Sequence, residues 1–127
     1  DHAPVQCLAL SPAYRADGAL AAGTESCGLF FSYDTGETWH RVAADVITGS
    51  VIAVALSPAG PQQRVLVATD EALLLSDDAG ASWAFLLQER HTQLTCCAAP
   101  VDLIAGGEVF VGTMDGRVLC GTLPTPA

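Results

Sequence analysis

Lysine is absent from this 127-residue chain, and the side chains that carry a permanent positive charge are five scattered arginines. Fourteen aspartates and glutamates oppose them, which gives a formal net charge of -9 at pH 7. Binding to nucleic acid or to an anionic lipid surface depends on a concentrated positive patch. The composition therefore predicts no nucleic-acid partner and no membrane-surface partner.

Long apolar runs are missing as well. Half of the residues are hydrophobic, yet no apolar run approaches the roughly 18 residues that a membrane-spanning helix requires. The first four residues do not resemble a signal peptide, and no methionine begins the chain. We therefore expect a single globular domain that is an excised segment or a processed product of a longer chain.

Metal-binding and disulfide patterns are also absent. The five cysteines are odd in number and lack C-x-x-C spacing, and the histidines form no H-x-H or H-E-x-x-H pair. No metal or other cofactor is predicted. Four cysteines lie in apolar runs, so we expect small buried residues in a reducing compartment. Cys27 lies in a predicted loop and is the candidate for a reactive thiol.

What the chain does contain is a repeated turn. Ser-Tyr-Asp-Thr-Gly-Glu-Thr-Trp at residues 32–39 recurs as Ser-Asp-Asp-Ala-Gly-Ala-Ser-Trp at residues 76–83, with Asp34 and Asp78 44 residues apart. The Gly-Thr pair at 23–24 also recurs, at 68–69 as Ala-Thr and at 112–113 as Gly-Thr. A period of about 45 residues with one sharp turn between apolar runs is typical of a β-propeller blade.

The three copies predict an all-β fold of about three antiparallel blades, in which the last blade lacks its fourth strand. We predict one partial β-propeller domain over 1–127, with blade 1 at about 5–49, blade 2 at about 50–92 and an incomplete blade 3 at about 93–123. Prolines fall just after each first strand, where a missing N–H does no harm. The predicted strands are 5–10, 18–23, 28–33, 38–44, 51–56, 64–69, 72–76, 82–88, 94–98, 108–113 and 116–122.

Each residue of the repeated turn has a predicted structural role. We expect Asp34 and Asp78 to accept hydrogen bonds from backbone N–H groups two or three residues further on. Gly36 and Gly80 are expected to supply the positive φ that closes the turn. The remaining hydroxyls offer further hydrogen bonds to the same backbone: Ser32, Thr38, Ser76 and Ser82.

The tryptophan that ends each turn is predicted to be a packing residue. Trp39 and Trp83 are expected to begin the next strand and to bury about 200 Å² against the adjacent blade. Removing either indole is then expected to cost about 3–5 kcal/mol of folding free energy.

These turns resemble a known sequence family. Ser-x-Asp-x-Gly-x-Thr/Ser-Trp is similar to the Asp-box, or bacterial neuraminidase repeat, and residues 23–32 are similar to blades of sortilin-type, xyloglucanase-type and photosystem-assembly-factor-type propellers. The resemblance covers about residues 5–123. It implies that the box joins the third and fourth strands of a blade, usually away from the functional surface. The third copy departs from the pattern, because residues 113–116 form an ordinary hairpin turn with no Asp-box after it.

Enzymatic signatures are weak. A sialidase needs clustered arginines and a tyrosine nucleophile, but the chain has no Arg-Ile-Pro segment and only Tyr14 and Tyr33. A xyloglucanase-type glycosidase needs two carboxylates that face each other across a cleft. The loop acids lack any context that separates a catalytic acid from a solvated turn: Asp17, Asp45, Asp70, Glu71 and Asp102. Asp77 and Asp78 do not have calcium-loop spacing, so we expect a turn cap there.

Three blades are too few to close a ring, since propellers have roughly four to eight. The sequence therefore predicts that further blades of a parent chain, or a second copy docked head to tail to give six blades, cover the two open sides.

The function predicted from the sequence is non-enzymatic. We expect a binding or scaffold module that contacts a protein or glycan through loops at one rim, with these candidates: 24–28, 44–50, 69–72, 89–93 and 113–116. The alternative is an accessory part of a glycoside hydrolase propeller whose catalytic acids lie in other blades.

Overall fold

The structure is a computed structural model that describes residues 3–125; residues 1–2 and 126–127 of the predicted domain lie outside the described part. Between residues 3 and 125 the chain forms eleven strands and one short helix. They are β1 Val5–Leu10, α1 Tyr14–Asp17, β2 Leu20–Thr24, β3 Leu29–Ser32, β4 His40–Val42, β5 Val51–Leu56, β6 Val65–Thr69, β7 Ala72–Ser76, β8 Ala84–Gln88, β9 Leu94–Ala98, β10 Glu108–Thr113 and β11 Val118–Thr122.

The strands form three antiparallel sheets in sequence order. Sheet 1 has the order β1-β2-β3-β4, sheet 2 has β5-β6-β7-β8, and sheet 3 has β9-β10-β11. The first strands lie side by side, with β1 beside β5 and β5 beside β9. This arrangement confirms the prediction of an all-β fold built from three antiparallel sheets of three or four strands.

The sheets stack through apolar side chains that alternate along each strand. In β6, Val65 and Val67 point toward sheet 1, whereas Leu66 and Ala68 point toward sheet 3. Every residue of β6 and β7 is buried, as expected for strands covered on both faces. The Leu- and Val-rich sequence of these strands thus follows from their position between two neighbours.

We call the contact between the first two sheets interface 1–2 and that between the last two interface 2–3. Interface 1–2 is a cluster of buried residues, with Val42, Ala43, Val46, Val54 and Trp83 packed against it: Ala21, Leu29, Phe31, Ile47, Val51, Leu56, Val65 and Val67. Interface 2–3 has its own cluster: Leu66, Ala68, Leu73, Leu75, Leu94, Leu103, Val109, Val111 and Leu123.

Two local features differ from the sequence prediction. The fourth strand of sheet 1 is shorter than expected, because β4 covers only His40–Val42. The first connection contains one helical turn, α1, which ends at Gly18 in the left-handed conformation with φ of 63°. The segment between β1 and β2 still connects the two strands, as predicted, but it contains more regular structure than its Pro-rich and polar sequence indicated.

The expectation that the cysteines of apolar runs are buried is wrong for two of them. Cys96 and Cys120 are exposed, and the other three are half-buried. Both exposed residues belong to sheet 3, whose outward face has no neighbouring sheet among the described residues. An apolar run predicts burial only where something covers it.

No helix among residues 3–125 is long and apolar enough to cross a membrane.

Interface 1–2 generates a stability prediction. Ile47 has no exposed surface, whereas Ile104 is 59% exposed. Ile47→Ala should lower the free energy of unfolding by about 2–4 kcal/mol because it leaves a cavity between two sheets. Urea denaturation measures this difference.

Ile104→Ala is the matched control, and it should change the free energy of unfolding by no more than about 0.5 kcal/mol. Equal effects of the two substitutions would mean that interface 1–2 does not carry the stability assigned to it.

Candidate functional site

The two repeated turns have the same hydrogen-bond geometry. One oxygen of Asp34 accepts from the Thr38 backbone N at 2.9 Å and from the Ser32 hydroxyl at 2.8 Å, and the other accepts from the Thr38 hydroxyl at 2.5 Å. Asp78 repeats these bonds with Ser82 and Ser76, at 2.9, 2.8 and 2.6 Å. The backbone donor lies four residues beyond the aspartate rather than two or three, so the predicted spacing was wrong.

Each turn contains two consecutive residues with positive φ. Gly36 has φ of 91° and Gly80 has 93°, but the residues before them, Thr35 and Ala79, are also left-handed, at 62° and 61°. Two such residues in succession are typical of a type I′ turn, whose twist matches a hairpin. The serine that opens each turn accepts a bond from the glycine N at 2.9 Å. The sequence indicated only the glycines.

The tryptophans form part of their turns before they pack elsewhere. The indole N–H of Trp39 donates to the Gly36 carbonyl at 2.9 Å, and that of Trp83 donates to the Gly80 carbonyl at 3.0 Å. Both residues immediately precede a strand instead of beginning it.

The environments of the two indoles differ. Trp83 packs against interface 1–2, as expected. Trp39 is 40% exposed, so the prediction that both indoles are buried against an adjacent blade is wrong for Trp39. The side of sheet 1 on which it lies has no neighbouring sheet among the described residues.

Hydrogen bonding lowers the pKa of both turn carboxyls from 3.8 to about 2. The largest cause is the hydroxyl of Thr38 or Ser82, followed by the backbone N–H of the same residue. Bonds to the charged form favour ionisation. Both carboxylates are therefore ionised and hydrogen-bonded within their own turns.

Strand direction divides the loops into two rims. The repeated turns share the lower rim with the connections 11–19, 57–64 and 99–107, while the upper rim holds the hairpins 24–28, 69–72 and 113–116 and the inter-sheet segments 43–50 and 89–93. All five loops predicted as candidates for binding therefore lie on the upper rim.

A threonine closes each upper-rim hairpin. The Thr24 hydroxyl accepts from Cys27 N at 2.9 Å, that of Thr69 from Ala72 N at 3.0 Å, and that of Thr113 from Arg117 N at 3.0 Å. A side-chain hydroxyl that accepts from a nearby backbone N–H stabilises a tight turn. This role explains why the threonine recurs in all three copies.

Backbone hydrogen bonds join the upper-rim loops to one another. Asp70 N donates to Ser50 O at 3.1 Å, and Leu94 N donates to Asp70 O at 2.9 Å. Glu89 N donates to Glu71 O at 2.8 Å. The hairpin 69–72 is thereby held in fixed register with the two inter-sheet segments, 43–50 and 89–93.

These three loops surround an open cleft of about 680 Å³. We call it the upper-rim cleft; its walls are residues 46 and 48–49, 69–72, 74, 85 and 88–93. Most of the lining side chains are polar, but Phe85 of β8 contributes a ring that is 51% exposed. Phe85 was not predicted from the sequence; its one local signal is an aromatic residue on the fourth strand of a repeat, shortly before the rim segment 89–93.

The charges in the upper-rim cleft come mainly from acids. The Asp70 carboxylate lies against Gly49, where a Cβ would come within 2.9 Å of it. Glu89 accepts from His91 N at 3.0 Å and from the Arg117 guanidinium at 3.3 Å. These two bonds hold the pKa of Glu89 below its ordinary value. Arg117 thus links the 113–116 hairpin to the cleft wall.

The five loop acids do not come together. Asp70 and Glu71 line the upper-rim cleft, whereas Asp45 is exposed outside its lining. Asp102 is an exposed residue of the lower rim. No group of three histidine, cysteine, aspartate or glutamate side chains placed to hold a metal ion occurs within residues 3–125.

Asp17 bridges sheets 1 and 2 at the lower rim. Its carboxylate accepts from the Ser11 hydroxyl at 2.7 Å and from the backbone N of Ala19 and Ala59, each at 2.9 Å. Burial acts to raise the pKa of Asp17, but these hydrogen bonds outweigh it and lower the pKa. This acid has a structural partner for each oxygen.

Arg64 is a structural residue that the sequence did not reveal. Its side chain is 7% exposed and forms an ion pair with Asp77 at 2.7 Å. The same guanidinium donates to the carbonyls of Leu103 at 2.9 Å and Pro124 at 2.6 Å. Arg64 therefore ties sheet 2 to the 99–107 connection and to the segment after β11.

The comparisons with known proteins support the fold. No model of a known protein family matches the chain, and no curated protein matches it either. Among solved structures, the chain is similar to a GH74 xyloglucanase from Xanthomonas campestris, with 26% identity and a TM-score of 0.50. The match covers 94% of this chain and 22% of that one, so this chain spans about a fifth of that protein. That protein is a β-propeller, which agrees with the stacked sheets found here.

The turn carboxylates predict a pH dependence of stability. Because the folded-state pKa of Asp34 and Asp78 is about 2, below the ordinary 3.8, their contribution is fully present above about pH 4. It should be lost as the pH falls toward 2. The double variant Asp34→Asn/Asp78→Asn should unfold at a lower temperature at pH 7 and show a smaller decrease in Tm between pH 4 and 2, measured by circular dichroism.

Asp102→Asn serves as the control and should follow the unsubstituted protein at every pH. If the double variant loses as much Tm between pH 4 and 2 as the unsubstituted protein does, the two turns do not depend on ionised carboxylates.

Proposed function

We propose that this chain is a non-enzymatic binding module of the β-propeller type whose ligand occupies the upper-rim cleft. The observation that carries this proposal is the convergence of one hairpin and two inter-sheet segments around one open space of about 680 Å³. Loops held by a rigid scaffold are the usual carriers of binding function. The ligand class we propose is a protein or a glycan.

The lining supports recognition of a partly polar ligand. Hydroxyl, amide and carboxylate side chains line the cleft, and Phe85 provides one apolar surface on which a sugar ring or an apolar side chain can pack. Hydrogen bonds from Asp70 N to the Ser50 carbonyl and from Leu94 N to the Asp70 carbonyl pre-organise the walls. Less conformational entropy is then lost when a ligand binds.

A non-enzymatic role agrees with the hydrogen bonds that the acidic side chains already accept within the chain. Asp17, Asp34 and Asp78 already accept hydrogen bonds within the chain. Glu89 is held ionised by His91 and Arg117, which is the opposite of what a general acid requires.

The second candidate function is an accessory part of a glycoside hydrolase propeller. The similarity to a GH74 xyloglucanase favours it, although this chain spans about a fifth of that protein. In that case the catalytic acids would lie in other blades, and the cleft would contact part of a longer polysaccharide.

We also infer that the turns 32–39 and 76–83 are Asp-boxes. The inference rests on the shared Ser-x-Asp-x-Gly-x-Thr/Ser-Trp sequence and on the matching bonds of Asp34 and Asp78. Both turns lie on the lower rim, opposite the cleft, so in this proposal they stabilise the blades and do not contact the ligand.

The proposal is tested with a panel of neutral and acidic oligosaccharides that includes xyloglucan fragments, and with a peptide library on an array. At least one probe should bind, and Phe85→Ala should weaken that binding about tenfold, which corresponds to about 1.4 kcal/mol. Calorimetry with the selected probe gives the affinity. Met114→Ala, which truncates an exposed upper-rim residue outside the cleft lining, should bind like the unsubstituted protein.

The outcomes separate the two candidates. Selective binding of xyloglucan fragments without hydrolysis would favour the glycoside hydrolase alternative, in which the catalytic acids lie in other blades. Hydrolysis of a bound oligosaccharide that disappears in Asp70→Asn would contradict both candidates, because it would place a catalytic acid in this chain. Binding that is unaffected by Phe85→Ala, or the absence of binding to both panels, would contradict the proposed site.

A further inference from the structure

The stack of three sheets ends in two apolar faces that nothing covers among residues 3–125. The front face is the side of sheet 1 that carries Leu8, Leu10 and Trp39, which are 67%, 58% and 40% exposed. The back face is the side of sheet 3 that carries Cys96, Phe110, Val118 and Cys120, where Phe110 and Val118 are 42% and 73% exposed. Exposed apolar surface of this kind marks a contact site.

Strand register identifies the front face with a surface that is buried elsewhere in the molecule. Leu10 pairs with the first residue of β2, just as Leu56 pairs with the first residue of β6. In the same register, Leu8 corresponds to Val54, and the tryptophans of the two turns correspond to each other. The three front-face residues thus match three residues of sheet 2.

Those three residues of sheet 2 all belong to interface 1–2. Leu56 is 3% exposed, and Val54 and Trp83 pack against the same cluster. The front face of sheet 1 is therefore equivalent to the face of sheet 2 that packs against sheet 1. In sheet 1 that preceding neighbour is missing from the described chain.

The back face corresponds in the same way to a surface of sheet 2. Phe110 lies between two valines that point toward sheet 2, so its ring points away from sheet 2, as Leu66 points away from sheet 1. Leu66 pairs with Leu75, and Phe110 pairs with Cys120. Leu66 and Leu75 are 1% and 4% exposed in interface 2–3.

The front and back faces are thus the two complementary halves of one repeated sheet-to-sheet contact. We propose that a second copy of this chain docks its back face on the front face of the first copy. The contact is heterologous and continues the stacking direction already set by interfaces 1–2 and 2–3. This inference does not depend on the proposed ligand cleft, which lies on the upper rim.

The repeated geometry also predicts which residues meet. Trp83 and its turn lie beside Phe31, because the position of a Cβ on Gly80 is 4.0 Å from the Phe31 ring and 3.7 Å from the Trp83 indole. Phe31 occupies in sheet 1 the register position that Cys120 occupies in sheet 3. In the assembly, Trp39 of one copy should therefore pack near Cys120 of the other.

Sedimentation velocity of the 127-residue chain in reducing buffer tests the proposal. We expect a concentration-dependent assembly of two or more copies, with a blue shift of Trp39 fluorescence as it forms. Leu8→Asp damages only the front face and Phe110→Asp only the back face. Each variant alone should be a monomer, because a heterologous contact needs one front and one back face from every pair.

Mixing the two variants gives the sharpest result. The intact back face of Leu8→Asp can dock on the intact front face of Phe110→Asp, so an equimolar mixture should form a one-to-one complex. Met114→Asp, which places a charge on an exposed upper-rim residue outside both faces, should assemble like the unsubstituted chain. Circular dichroism of every variant establishes that it is folded.

Three outcomes would overturn the proposal. The first is a folded monomer up to about 0.1 mM protein. The second is an assembly that Leu8→Asp and Phe110→Asp leave unchanged. The third is a mixture of the two variants that remains monomeric although the unsubstituted chain assembles, because one intact back face and one intact front face would then not be sufficient for docking.

Discussion

Lateral burial of apolar side chains between neighbouring sheets is the interaction on which the rest of this structure depends. Sheet 2 alone would expose two apolar faces to water, because β6 and β7 are buried on both sides. Along β6 the side chains alternate, so that Val65 and Val67 face sheet 1 and Leu66 and Ala68 face sheet 3. Each sheet is therefore stable only with a neighbour, as in other repeat architectures. At roughly 25 cal/mol per Å² of buried apolar surface, these contacts are the main favourable term.

The two rims differ in the hydrogen bonds that stabilise their turns. On the lower rim, Asp34 and Asp78 use both carboxylate oxygens within their own turns, and Arg64 distributes its donors among Asp77 and two carbonyls. On the upper rim, the three threonines close the hairpins, and backbone bonds connect the loops. Thr48, Glu71, Phe85 and Gln88 of the upper-rim cleft are thus left exposed to solvent.

The repeated elements could be predicted from the sequence because their signals are local. A turn with aspartate, glycine and tryptophan, followed by an apolar run, specifies a hairpin wherever it occurs, and the strands were found within a few residues of the predicted positions. The left-handed conformation of Thr35 and Ala79 was not predictable from residue type, because neither residue prefers it. The hydrogen bonds that Ser32 and Asp34 accept from the backbone hold the first turn in this conformation, and Ser76 and Asp78 do the same in the second.

The sequence did not predict which repeated residues have a neighbouring sheet packed against them. Trp39 and Trp83 have equivalent local sequences, yet one is 40% exposed and the other packs between two sheets. Cys96 and Cys120 are exposed for the same reason as Trp39. The upper-rim cleft was also only partly predictable: its loops were expected, but Phe85 and Arg117 enter through tertiary proximity and not through any repeated motif.

Native-state hydrogen exchange tests most directly whether lateral packing makes the three sheets one cooperative unit. The second strand of each sheet serves as the reporter: the amides of β2, β6 and β10 report on sheets 1, 2 and 3. If the account is correct, the slowest amides of the three strands exchange through one shared opening, with the same free energy and the same dependence on denaturant. Separate free energies, with β6 protected while β2 exchanges as fast as a loop, would contradict it.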